Sequence, residues 1–143
     1  MKKFDSELAA MENRIVQMAK LAKQMVLLAT TAIKDRTPDV SDQIASLARR
    51  VHQMQTEIDQ ESVRLMTVYG PVAGNLRYLL GCTQVTAQLE RIGDQVVNIG
   101  ESLRMMTSDP ASHPTLAILQ RMADVVSQMD DDALETYFAR DPD

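Results

Sequence analysis

Apolar residues recur along this chain in alternating steps of three and four, and prolines cut the pattern into segments. The first run is Phe4, Leu8, Met11, Ile15, Met18, Ala22, Met25, Ala29 and Ala32. The second is Ile44, Leu47, Val51, Met54, Ile58, Glu61, Leu65 and Val68, with Glu61 as its one polar interruption. The third is Tyr78, Cys82, Val85, Leu89, Ile92, Val96, Ile99, Leu103 and Met106. A weaker fourth runs Leu116, Leu119, Ala123, Val126, Asp130, Ala133 and Tyr137. A repeat of seven keeps one apolar stripe on one helix face. No stretch alternates apolar and polar residues in the manner of a strand. The pattern therefore predicts an all-α chain of long helices.

Boundary residues place the helices at 5–35, 38–69, 71–106 and 114–139. Thr37-Pro38 offers a cap followed by proline in the first turn. Gly70-Pro71 offers a left-handed stop and a restart. Thr107-Ser108-Asp109-Pro110 reads as a turn, and His113-Pro114 reopens a helix. Short connections make neighbours antiparallel, so the expected architecture is an antiparallel three-helix bundle with one additional long helix. Gly81, Gly93 and Gly100 sit inside the third helix, where each lowers helix propensity by about 1 kcal/mol relative to Ala. Gly93 and Gly100 are seven apart and share a face, which points to close helix packing. Met11, Met18 and Met25 share a seam and read as adaptable core filler.

Charge and composition exclude several functions. Residues 113–143 carry Arg121 and Arg140 against seven acidic side chains, so the net charge of −5 sits on that segment. An acidic end, a neutral body and no Trp argue against nucleic-acid binding. The single cysteine, Cys82, excludes a disulfide framework and a cysteine-based structural zinc site. The longest wholly apolar run, Met25–Ala29, is far below the roughly 18 residues of a membrane span. The N-terminus is charged where a signal peptide is apolar, so a cytoplasmic protein is expected. Phosphate-binding Gly loops and His-Glu-x-x-His are missing, so no enzyme is expected.

The third helix carries Glu90, Asp94 and Glu101 at i, i+4 and i+11. At 100° per residue they fall within about 40° of one another, with Asn98 beside them and the apolar seam on the opposite side. This ridge faces outward. It reads as a solvated face, or as an oxygen-rich site for a cation, which needs several ligands. Two carboxylates are too few, and His52 on the second helix, near Gln55 and Asp59, is the candidate further donor.

Pro71-Val72-Ala73-Gly74-Asn75-Leu76-Arg77, followed by Leu89-Glu90-Arg91-Ile92-Gly93-Asp94-Gln95-Val96-Val97-Asn98-Ile99, closely resembles the PhoU family of phosphate-uptake regulators. The opening from Phe4 through Met18 and the stretch Ala133–Pro142 resemble it too. The resemblance implies two repeats, each an antiparallel three-helix bundle. Residues 1–107 then form one repeat and 113–140 the first helix of an incomplete second. It implies a negative regulator that links the ATPase of the phosphate ABC transporter to a sensor histidine kinase. Some family members carry multinuclear iron or zinc clusters on acidic-x-x-x-acidic motifs, which Glu90 and Asp94 match.

The match has gaps. An ungapped alignment back from Pro71 puts the family's second acidic motif on Ala48 and His52, and only His52 can ligate. Asn75 and Gln88 stand where the family often has acids. The ligand set expected here is Glu90, Asp94, Glu101, Asn98 and His52. The fourth helix would leave Leu116, Leu119, Met122, Val126, Met129 and Phe138 uncovered in a monomer, which points to a homo-oligomer through residues 114–139. The alternatives are a metal-binding bundle with a storage or catalytic role, and a partial paralogue without partners. Ferritin-like sites aim their carboxylates inward, unlike this ridge.

Overall fold

All nine seam positions of the first segment, from Phe4 to Ala32, are buried. A computed structural model of the chain describes residues 2–35, 40–105 and 114–139. It contains helices α1 (Lys2–Asp35), α2 (Ser41–Tyr69), α3 (Gly74–Met105) and α4 (Pro114–Ala139), with no strand among the described residues. Helices α1, α2 and α3 pack mutually, while α4 lies along α1. The ends show the directions. Phe4 meets Tyr69 edge-on at 5.4 Å, and Ser41 accepts a hydrogen bond from Arg104, so α2 runs against both α1 and α3. The bundle is the antiparallel three-helix arrangement expected, with one further helix.

The core joins Phe4, Met11, Ile15, Met18 and Met25 of α1 to Ile44, Val51, Ile58 and Leu65 of α2 and Leu79, Cys82 and Leu89 of α3. Burying one aliphatic side chain of this size contributes about 1.5–3 kcal/mol. That packing, more than intrinsic propensity, holds the helices.

Two seams differ from the expected ones. In α2 the buried position after Ile58 is Ser62, not Glu61, and Val68 is exposed while Tyr69 packs on the core. The steps from Val51 through Tyr69 average 3.6 residues, the period of a straight helix. Glu61 turns outward to Arg64 at 2.7 Å, and Arg64 also reaches Glu7 at 2.6 Å. The Ser62 hydroxyl donates to the Ile58 carbonyl at 2.8 Å, which satisfies it inside the core.

In α3 the buried stripe is Leu79, Cys82, Thr86, Leu89, Gly93, Val96 and Gly100. Val85, Ile92 and Ile99 lie one residue to the side, the first two half-buried and Ile99 exposed. Small residues win those positions because the neighbouring helices come close. A Cβ on Gly100 would lie 3.2 Å from Ile44 Cδ1, and one on Gly93 would touch Met25 and Val51.

The boundaries also shift. Gly70 ends α2 in the left-handed conformation, φ 52°, with its N–H bonded to the Met66 carbonyl. Pro71 does not open α3. Pro71, Val72 and Ala73 form the connection, and Arg77 donates to the Ala73 carbonyl at 3.1 Å. α2 begins at Ser41 after Val40, without a side-chain cap. Thr37-Pro38, Met106, the turn Thr107–Pro110 and His113 lie outside the described residues, as do the side chains of Leu116 and Phe138. No described helix is long and apolar enough to cross a membrane.

Candidate functional site

Because the α3 stripe through Leu89, Gly93 and Gly100 is buried, residues one position beyond it turn toward solvent. Glu90 is half-buried, and Asp94, Asn98 and Glu101 are exposed. The ridge therefore faces outward, as its spacing predicts. α2 runs antiparallel beside its upper end and brings His52 to it. His52 Nδ1 lies 2.5 Å from Glu90 Oε1. An ionised carboxylate only accepts, so Nδ1 donates the proton in this contact.

About two turns further along α2 is Asp59, which lies close enough for the Glu90 charge to act on it. Burial holds the Asp59 carboxyl above its ordinary value, and the Glu90 charge pushes the same way. Its Oδ1 is buried without a hydrogen-bond partner. Asp59 is not in the expected ligand set, although it lies near Glu90. Its signal in the sequence is weak: it stands seven residues after His52, hence on one helix face.

The arrangement brings together His52 and Glu90 of the five expected ligands. Asp94, Asn98 and Glu101 continue along α3 as separate side chains, and Ala48 packs against the core. Among the described residues no group of three or more His, Cys, Asp or Glu side chains is placed to hold a metal ion. A zinc ion takes about four ligands. The described ridge thus offers one histidine–carboxylate pair and does not by itself complete a cluster.

At the other end of the molecule, α4 docks through Tyr137. Its ring stacks on Tyr78 with centroids 5.5 Å apart and planes 11° off parallel. Its hydroxyl lies 3.3 Å from both the Tyr78 carbonyl and Cys82 Sγ. Burial raises the Tyr137 hydroxyl well above its usual range, and the hydrogen bond with Cys82 adds to this. Also in the C-terminal half of α4, Asp131 pairs with Lys23 of α1 at 2.6 Å. Near α1's C-terminal half, α3 and α4 stand apart. Between them is an apolar cavity of about 440 Å³, lined by Ile33, Ile92, Ile99, Leu119 and Val126 among others.

The comparisons with known proteins point to the family that the sequence resembles. The PhoU domain family model matches residues 15–103. A phosphate-specific transport system accessory protein PhoU homolog from Aquifex aeolicus is 26% identical over 139 residues, covering 97% of this chain and 62% of its own length. The corresponding protein of Caulobacter vibrioides is 29% identical over 141 residues, covering 98% of this chain and 61% of its own length. The crystal structure of PhoU from Pseudomonas aeruginosa superposes with a TM-score of 0.87 at 26% identity, over 96% of this chain and 65% of that one. The chain thus spans about three fifths of the length of the curated relatives it matches. With the family domain covering α1 from Ile15 through most of α3, this chain belongs to the PhoU family.

Proposed function

We propose that this chain regulates phosphate uptake and phosphate-starvation signalling as a helical adaptor. In this reading it contacts the ATPase of the phosphate ABC transporter and a sensor histidine kinase, and keeps the starvation response off. The observation that carries the reading is the family domain over residues 15–103, with Glu90 and Asp94 of the Leu-Glu-Arg-Ile-Gly-Asp stretch turned outward. Contacts would be made by helix surfaces in the cytoplasm, with no reaction catalysed. The division into a repeat at 1–107 and the first helix of a second at 113–140, and self-association through 114–139, belong to the same proposal.

The test is a bacterium that lacks its own family member and carries a phosphate-starvation reporter. This chain, expressed there in ample phosphate, should lower the reporter. An unchanged reporter with soluble chain present counts against the reading and favours a partial paralogue without partners.

A second reading is a metal-binding bundle. His52 facing Glu90, next to the unpartnered Asp59 oxygen, is the observation that favours it. Iron or zinc would need Asp94 and donors beyond the described pair. Mass spectrometry of untagged protein beside a Glu90→Ala/Asp94→Ala variant decides it. Stoichiometric metal lost in the variant supports it, and no metal in either protein refutes it.

A further inference from the structure

Three helices wall the apolar cavity of about 440 Å³. α1 runs with α3 and against α4, since Tyr78 bonds Glu12, Asp131 pairs with Lys23 and Tyr137 stacks on Tyr78. Ile33, Ile99 and Leu119 therefore meet toward one end of the cavity, and Val26, Ile92 and Val126 lie toward the other. Ala29 and Ala123 leave space that larger side chains would fill. Ile99 is 41% exposed, Leu119 42% and Val126 51%, so apolar wall faces water. Small-molecule sites have this size and makeup, about 300–1,000 Å³ of mostly apolar wall with a few placed polar groups.

The polar groups at this cavity come from α3. Gln88, Arg91 and Gln95 stand three and four residues apart, on one helix face, and are exposed at the rim. Arg91 is the one charged side chain among the described lining residues, and none of them is acidic. Among the described residues Arg91 makes no ion pair or hydrogen bond. The neighbouring cavities differ: Asp124 lines the one on the other side of α4, and Asp132 the one beside Tyr137. Charge therefore favours an anion here, and the wall favours an apolar body. The wall from Gln88 to Ile99 runs about 16 Å along α3, close to the length of an extended dodecanoyl chain.

We propose that this cavity binds a free fatty-acid anion, with its carboxylate on Arg91 and its chain running along α1 toward Ile33, Ile99 and Leu119. A guanidinium matches the two oxygens of a carboxylate with paired donors, and the amides of Gln88 and Gln95 are further donors beside it. Each methylene covered by the apolar wall adds to the affinity. The site stands on the α4 side of α3, away from the contact of Glu90 with His52 on the α2 side. It does not depend on the phosphate reading.

Isothermal titration of the chain with dodecanoate, below its micelle concentration, tests the proposal. One dodecanoate should bind per chain, and octanoate should bind about tenfold or more weaker. Arg91→Gln should weaken dodecanoate about tenfold. Ala123→Phe should fill the cavity and abolish binding, with unchanged helicity by circular dichroism. Met129→Glu, on the exposed side of α4 outside the cavity, should bind as the wild type does. No dodecanoate binding by the folded wild-type chain overturns the proposal, as does binding that either Arg91→Gln or folded Ala123→Phe leaves unchanged. Loss of binding in Met129→Glu places the ligand on the outer stripe of α4 and also overturns it, as does equal affinity for dodecyltrimethylammonium.

Discussion

The Tyr137 hydroxyl lies 2.9 Å from the point where a Cβ on Gly81 would project. The absent side chain at Gly81 is what admits the Tyr137 ring to α3. The contact joins the C-terminal half of α4 to the bundle, where the Cα traces of α3 and α4 are otherwise apart.

Gly81→Ala should therefore separate two effects. Alanine raises the helix propensity of α3 by about 1 kcal/mol, while its methyl displaces the Tyr137 hydroxyl. Hydrogen exchange should quicken across α4 and stay slow in α1 and α2. Equal protection of α4 in both proteins would mean that Tyr137 does not hold it. Tyr137→Phe removes the two long hydrogen bonds and keeps the stacking, so its effect should be smaller, about 1 kcal/mol or less.

Gly93 behaves differently from Gly81. A Cβ there would lie 3.6 Å from Met25 Cε and 3.9 Å from Val51 Cγ1, ordinary contact distances. Gly93→Ala should raise the unfolding free energy by about 1 kcal/mol through helix propensity, as read by urea denaturation. Gly93→Leu has no room between α1 and α2 and should lower it by about 1–3 kcal/mol. An alanine variant less stable than wild type would show that the helices are closer than described.

Asp59 makes stability depend on pH. Its folded pKa is raised, so the native state holds the proton more tightly than the unfolded chain does. Stability from this group is greatest below the ordinary carboxylate value of 3.8 and falls as pH rises through the folded value. Asp59→Asn should be more stable than wild type at neutral pH, with the gap closing as pH drops below that value. Thermal melts over an acid-to-neutral series read this. A variant less stable than wild type at neutral pH would contradict it.

How far the sequence reveals this structure depends on the helix. α1 is the most legible, since all nine expected seam positions are buried, with Ala19 added to them and the helix starting at Lys2 rather than at residue 5. α3 is legible in period but not in phase. Val85, Ile92 and Ile99 attract the eye, yet Thr86, Gly93 and Gly100 take the core because bulk there would hold α1 and α2 apart. In α2 the choice between Glu61 and Ser62 turns on a single step of three or four, and the ion pair with Arg64 settles it. The outward direction of Glu90, Asp94, Asn98 and Glu101 follows from spacing. The contact of His52 with Glu90 needs the register of α2 on α3, which spacing within one helix does not carry.

The adaptor reading is tested most directly by binding. Purified ATPase of a phosphate ABC transporter would be titrated with wild-type chain and with the Glu90→Ala/Asp94→Ala variant. The account predicts saturable binding by the wild type, weakened about tenfold or more, some 1.4 kcal/mol, in the variant. No binding by the wild-type chain would contradict the adaptor function. Equal binding by both proteins would contradict the role of the ridge.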